Sequence, residues 1–276
     1  MASVTDPPRL VVVGASGFIG RAVAQKGEAL GLPVVRLGRS LEDTRLRSGD
    51  VLINAALRPA YRSQPYTPGA DLDRELAVAA AACGAHMIML SSRRVYGPEH
   101  RWGAKETDLT PGDESQYGRN KAVTEAWLST EHASSTGILR LSNVFGFEYA
   151  ADIRRESFFG AMLADLKATG EIVFHMAAET RRDFIPVETA AGAIVTAARC
   201  RLTGVFNIGS GFAIPCGTLA EALCEGYGRG TIHAGADVRD EFYLNVTKWT
   251  ERFPMSVSET ELIDNCRRLG ERLSHA

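Results

Sequence analysis

Cysteine is scarce in this chain and scattered along it. The five residues Cys83, Cys200, Cys216, Cys224 and Cys266 are odd in number and form no CxxC or Cys/His ligand spacing. That argues against structural zinc, implies no metal, and points to reduced thiols in a cytoplasmic protein. Long apolar runs are missing too: none approaches the ~18 residues that a membrane-spanning helix needs. The opening stretch MASVTDPPRL lacks the charged-then-apolar layout of a secretory leader. Nor is there an excess of one charge sign. The net charge of -2 gives no bias toward nucleic acid or an anionic membrane. Internal repeats, low-complexity tracts and long linkers are absent.

A chain of 276 residues, 45% of them hydrophobic, suits one large domain or one domain with a smaller lobe. Arg9 to Val13 is a short, β-branched apolar run and predicts a buried strand. Gly14-Ala15-Ser16-Gly17-Phe18-Ile19-Gly20 follows at once, and Phe18, Ile19, Ala22, Val23 and Leu30 then recur at helical spacing up to Gly31 and Pro33. Strand, glycine turn and helix in that order make an anion site suited to a pyrophosphate. Gly14 would allow the tight turn, Gly17 the approach of the phosphates, and Gly20 close packing of helix on strand. An ordinary strand-to-helix turn is the competing reading.

Pro33 to Leu37 predicts a second strand. A dinucleotide fold usually places an acid at its end, on the adenosine ribose. Here Gly38-Arg39-Ser40 stands there. An arginine pairs with a 2′-phosphate that an acid would repel, so Arg39 and Ser40 point to NADP over NAD; a solvated surface arginine is the alternative. Asp50 to Ala56 is the next strand, and its small end, Asn54-Ala55-Ala56, lets backbone pass close to a cofactor. The segment LEDTRLRSG before it is too short for a further strand and helix. A Pro-rich loop, RPAYRSQPYTPG, precedes a helix over 72–83. His86 to Leu90 is another buried strand that delivers Ser91 and Ser92 to the sheet edge where ligands bind. Either serine could merely cap a turn.

Tyr117 and Lys121 lie at i and i+4 of a helix that runs on to about Leu128, so they share one face, with Cβ atoms roughly 5–6 Å apart. A free phenol titrates near pH ~10. A fixed ammonium one turn away favours the phenolate, and lowering the phenol by about 3 pH units, worth ~4 kcal/mol, brings it into working range. A Tyr-x-x-x-Lys pair occurs on many surface helices; its weight here comes from what stands upstream. Further on, Ile138 to Leu141 is a strand, 156–168 a helix, 171–176 a strand, Glu188 to Cys200 a helix, Val205 to Gly209 a strand, and helices are predicted near 217–227 and 258–273.

Taken together, GASGFIG at Gly14–Gly20, SSRRVYG at Ser91–Gly97, YGRNK at Tyr117–Lys121, LSNVFG at Leu141–Gly146, RDFIPV at Arg182–Val187 and FNIGSG at Phe206–Gly211 cover nearly the whole chain. In order and spacing they resemble the extended short-chain dehydrogenase/reductases of the NAD-dependent epimerase/dehydratase group. The resemblance implies an α/β fold, a Rossmann-type doubly wound parallel sheet with a small C-terminal substrate-binding lobe. Residues 1–145 and 184–208 would form the dinucleotide domain, and 146–183 and 209–276 the lobe. It implies Tyr117 as general acid/base, Lys121 as the residue that binds the nicotinamide ribose and lowers the phenol's pKa, and Ser92 as hydrogen-bond donor to the reacting oxygen. Ser92 stands 25 positions before Tyr117, which is similar to the family's Ser-to-Tyr spacing. Gly14, Ser16, Gly17, Phe18, Ile19 and Gly20 would hold the pyrophosphate turn, and Arg39, Ser40, Asn54, Ala55, Ala56, Tyr117 and Lys121 the rest of the cofactor. Ser92, Arg93, Asn143 and Arg182 would face the substrate, Asn143 and Arg182 at its diphosphate. For Arg182 the competing reading is an ion pair with Asp183 or Glu179. The resemblance also implies a homodimer, since members of the family often pair through the helix bearing the tyrosine and its neighbour.

Where dehydrating members carry an Asp-Glu pair after the catalytic hydroxyl, this chain has Arg93-Arg94, which argues against a 4,6-dehydratase. The expectation is therefore an NADPH-dependent 4-ketoreductase of a nucleotide sugar. A 4-epimerase with tightly held NAD is the alternative, and a non-catalytic dinucleotide sensor a third.

Overall fold

The computed structural model describes residues 7–41, 45–147 and 157–276. Residues 42–44 of the segment LEDTRLRSG and the predicted helix start at 156 lie outside the described residues. The chain divides into two compact units. The first comprises 1–100, 106–141 and 188–208, and the second 101–105, 142–187 and 209–276.

The first unit is built on six parallel strands: β1 (Leu10–Val13), β2 (Val34–Leu37), β3 (Val51–Asn54), β4 (His86–Ser92), β5 (Thr136–Leu141) and β6 (Gly204–Ile208), in the spatial order β6-β5-β4-β3-β1-β2. β1, β3 and β5 are buried along their whole length. A parallel strand covered on both faces needs such continuous apolar runs, so the alternation of a half-solvated sheet is missing. Helices α1 (Phe18–Ala29), α2 (Pro59–Ser63), α3 (Leu72–Cys83), α4 (Gln116–Glu131) and α5 (Val187–Arg199) make the connections. On one face, Leu72, Leu76, Ala77 and Ala80 of α3 and Leu128 of α4 pack with Val11, Val13, Leu52, Met87 and Met89. Alternate residues serve the other face, where Gly27 of α1 lets the helix lie against Leu10 and Val34.

Chain direction across the sheet reverses between β1 and β3, since β2 lies on one side of β1 and β3 on the other. That is the place where ligands sit in open α/β sheets. Among the described residues no strand lies beyond β2, in keeping with the short segment before β3. The Pro-rich segment is not all loop. Pro59 starts the short helix α2, its fixed φ suiting the first turn, and Pro68–Ala70 forms a 3₁₀ turn.

The second unit has its own core. Phe159, Met162, Leu163 and Leu166 of helix Phe158–Thr169 pack with Leu219 and Leu223 of Cys216–Tyr227 and with Leu262, Cys266 and Leu273 of Glu259–Ser274. Its strands are short and paired in twos: Asn143–Phe145 with Phe184–Pro186, Arg181–Arg182 with Ile214–Pro215, Glu171–Val173 with Thr231–His233, and Trp102–Ala104 with Tyr243–Leu244. No helix among the described residues is long and apolar enough to cross a membrane.

Candidate active site

The glycine turn after β1 has the geometry of a phosphate cradle. Gly14 has φ +77°, in the left-handed region, and a Cβ there would lie 2.9 Å from the backbone of Ala55 and Ala56. A Cβ on Gly20 would lie 2.2 Å from the Gly14 carbonyl, so only glycine lets α1 start this close to β1. Gly17 caps α1 without any side-chain hydrogen bond, and no acid stands in the first turn. The free N–H groups of that turn therefore face outward with the positive end of the helix dipole. These residues fit a dinucleotide pyrophosphate. Ser16 is exposed, Phe18 buried and Ile19 half-buried. The Ala55 N–H donates to Val13 O at 2.9 Å, which seats the end of β3 beside the turn. Arg39 is exposed just past β2 and has no partner among the described residues, and Ser40 is half-buried.

One clamp ties the segment before α4 to the turn after β4. Ser115 caps α4, its Oγ accepting from Gly118 N at 3.0 Å, and its own N–H donates to Asp113 Oδ1 at 2.9 Å. The segment before the helix is tied to the turn after Ser92: Gly112 N donates to Val95 O at 2.8 Å and Asp113 N to Arg94 O at 2.7 Å. A Cβ on Gly118 would lie 2.3 Å from Arg94 O and from Asp113 Oδ1. Glycine next to Tyr117 thus lets the start of α4 press directly on residues 93–95. Tyr117 is half-buried, and its hydroxyl makes no hydrogen bond among the described residues.

The two serines differ in use. Ser91 donates to Glu125 in a buried set in which Arg140 Nη2 pairs with Glu125 at 2.7 Å and Arg140 Nη1 donates to Tyr96 OH at 2.8 Å. Ser92, half-buried, accepts from Arg94 N at 3.3 Å, which leaves its own proton to donate. Arg93 is buried in the turn after it.

Lys121 is buried. Its ammonium donates to Asp73 Oδ2 at 2.7 Å and to Leu90 O at 2.9 Å, two residues before Ser92. Burial by itself pulls the ammonium's pKa down. The charge of Asp73, with the nearby Tyr61 and Tyr117 and the bond to Asp73, outweighs burial and raises the ammonium above its ordinary value. Asn54 donates to the other oxygen, Asp73 Oδ1, at 2.7 Å and accepts from Ala56 N at 3.0 Å. Tyr61 of α2 lies with its ring 5.5 Å from the ammonium and its OH 2.6 Å from Thr124 Oγ1. Neither Asp73 nor Tyr61 carries a motif. The only sequence signal for Asp73 was an acid inside an otherwise apolar helical face.

Asn143 and Arg182 belong to the second unit. Asn143 is half-buried and opens a strand paired with Phe184–Pro186. Arg182 stands over the Phe158 ring at 5.2 Å, donates from Nε to Asp240 O at 3.2 Å, and lies 3.7 Å from the Asp240 carboxylate. Its acidic partner is therefore Asp240. The neighbouring Asp183 turns inward instead, where it accepts from Ser210 N and Leu244 N.

With this geometry in view, known proteins give a consistent answer. The model of the NAD dependent epimerase/dehydratase family matches residues 10–209. The chain belongs to that family. It is an NAD-dependent enzyme of the epimerase/dehydratase family, which sets aside a non-catalytic sensor. A dTDP-6-deoxy-L-talose 4-dehydrogenase (NAD(P)(+)) from Kitasatospora kifunensis is 28% identical over 260 residues, covering 80% of each chain. A dTDP-4-dehydrorhamnose reductase from Mycolicibacterium smegmatis is 32% identical over 136 residues, 42% of this chain and 40% of that protein. In architecture the chain is similar to UDP-N-acetylglucosamine 4-epimerase from Methanobrevibacter ruminantium M1, solved with UDP-N-acetylmuramic acid. The TM-score is 0.81 at 19% identity, with 99% of this chain and 100% of that one covered.

Proposed function

We propose that this epimerase/dehydratase-family enzyme is a nucleotide-sugar 4-ketoreductase that prefers NADPH. When bound, the reduced dinucleotide supplies the hydride for the carbonyl carbon. Tyr117 gives its phenolic proton to the carbonyl oxygen, and Ser92 donates a hydrogen bond to that oxygen as negative charge grows on it. Lys121 keeps one of its three N–H donors for a ligand hydroxyl, the other two being taken by Asp73 and Leu90. Arg93, next to Ser92 in sequence, would serve the substrate.

The observation that carries the reading is the clamp that ties Tyr117's helix to the turn directly after Ser92, with Lys121 bonded to the same strand at Leu90. Two things favour a reductase over an epimerase. Both sequence relatives bear the names of enzymes that oxidise or reduce position 4 of a dTDP-deoxysugar. The epimerase likeness, at 19% identity, is one of fold alone. Arg39, exposed at the end of β2, supports the NADP preference.

The test is nicotinamide absorbance with a dTDP-4-keto-6-deoxyhexose. One NADPH should be consumed per sugar reduced, and Tyr117→Phe should lower kcat about 10²–10⁴-fold. Interconversion of C4 stereoisomers without net cofactor consumption would establish the epimerase instead. Full activity of Tyr117→Phe would sink both.

A further inference from the structure

A buried carboxylate sits on the cation that is meant to activate the phenol. Asp73 Oδ2 lies 2.7 Å from Lys121 Nζ, and both side chains are 2% exposed. Asp73 is held from behind, since Asn54 at the end of β3 donates to its other oxygen at 2.7 Å. Burial pushes the Asp73 carboxyl above its ordinary value, and the Lys121 ammonium and the Asn54 donor pull it back toward the ionised form.

An ammonium within ~4–6 Å of an acid lowers the acid's pKa by about 1–3 pH units. A carboxylate in contact with that ammonium turns the point charge into a dipole, whose field falls off faster with distance. We propose that Asp73 is a positioning residue that both fixes Lys121 in place and weakens the charge Tyr117 feels, so that the phenol stays protonated as the resting acid of a reductase. The inference rests on the reading of Tyr117 as proton donor and deepens it.

The other ionisable groups near the pair are occupied. On α4, Glu125 is bound to Arg140 of β5, and Arg119 donates to Glu114 O and Gln116. From α3, Asp71 accepts from Thr124 and Tyr66, and Arg74 lies over the Trp127 ring at 4.3 Å. From α2, the Tyr61 hydroxyl is pushed far above its ordinary value by burial and stays neutral. In the turn after β4, Arg94 is paired with Asp113, and Arg93 is buried. Asp73 is the acid in direct contact with Lys121.

The experiment is a titration of Tyr117 in the full-length protein without added dinucleotide. It is read as the phenolate absorbance difference between each protein and its Tyr117→Phe counterpart. Asp73→Asn keeps the shape and removes the charge, and the Tyr117 midpoint should fall by about one pH unit. The alkaline limb of the ketoreductase pH profile should move down with it. An unchanged midpoint, or one that rises because Lys121 loses its proton without Asp73, overturns the proposal. If Asp73→Asn does not fold, Asp73→Ser, which leaves room for water beside the ammonium, takes its place in the same titration. The readout needs no substrate, so it stands apart from the question of which reaction is catalysed. That question fails separately, on the activity of Tyr117→Phe.

Discussion

Arg94 and Asp113 form an ion pair at 2.7 Å that joins the turn after Ser92 to the loop before Tyr117. The arginine that stands where a dehydrating enzyme would carry an acid is therefore used to hold the site together. Asp113 is buried, and it also accepts from Ser115, the residue that caps α4. Ser92 and Tyr117 share a frame because one acid binds both sides of it.

The frame predicts a sharp effect from a small change. Gly118→Ala puts a methyl group where Arg94 O and Asp113 Oδ1 now stand, so the start of α4 must move. A displacement of about 1 Å at a reacting group costs on the order of 10²-fold in rate. Steady-state kinetics of Gly118→Ala should show kcat lowered by about that factor, while NADPH affinity measured by fluorescence stays near wild type. Unchanged kcat would mean that the clamp does not set the position of Tyr117.

Arg39 gives a test of cofactor choice. Arg39→Glu replaces a cation by the acid that repels a 2′-phosphate. The Kd for NADPH should rise tenfold or more, on the order of the loss of a charge-assisted bond, while that for NADH changes little. Equal effects on both cofactors would remove Arg39 from the 2′-phosphate.

Glu125 and Arg140 are both buried and paired at 2.7 Å. Removing one partner of such a pair leaves an uncompensated charge, at a cost of about 3–5 kcal/mol. Urea unfolding of Glu125→Leu should show a loss of that size. A loss below ~1 kcal/mol would mean that water reaches Arg140.

Asp183 makes stability depend on pH. Burial pushes its carboxyl up to about 6, against the opposing pull of the Ser210 and Leu244 N–H groups. The unfolded chain then releases this proton at lower pH than the folded one. Its contribution is complete below about pH 4, falls as pH rises to about 6, and is flat above. The difference in unfolding free energy between the native protein and Asp183→Asn should shrink by about 3 kcal/mol over that window. A difference independent of pH would place the Asp183 titration outside it.

Local pattern settled much of this protein in advance. The strand, glycine turn and helix at Leu10–Ala29, the i, i+4 pairing of Tyr117 with Lys121, and the placement of Ser92 at a strand end all depend on contacts between near neighbours in the chain. Periods of 2 and 3.6 residues encode such contacts directly. The partners of those residues were decided by tertiary packing. Lys121 meets Asp73 across 48 positions, Asn54 meets Asp73 across 19, and Arg182 meets Asp240 rather than its neighbour Asp183. Nothing in the residues themselves selects these pairs. The two pairs made by Asp73 arise because the parallel sheet places the ends of β3 and β4 side by side and lays α3 and α4 across them, and a buried charge must take whichever partner that packing brings within reach.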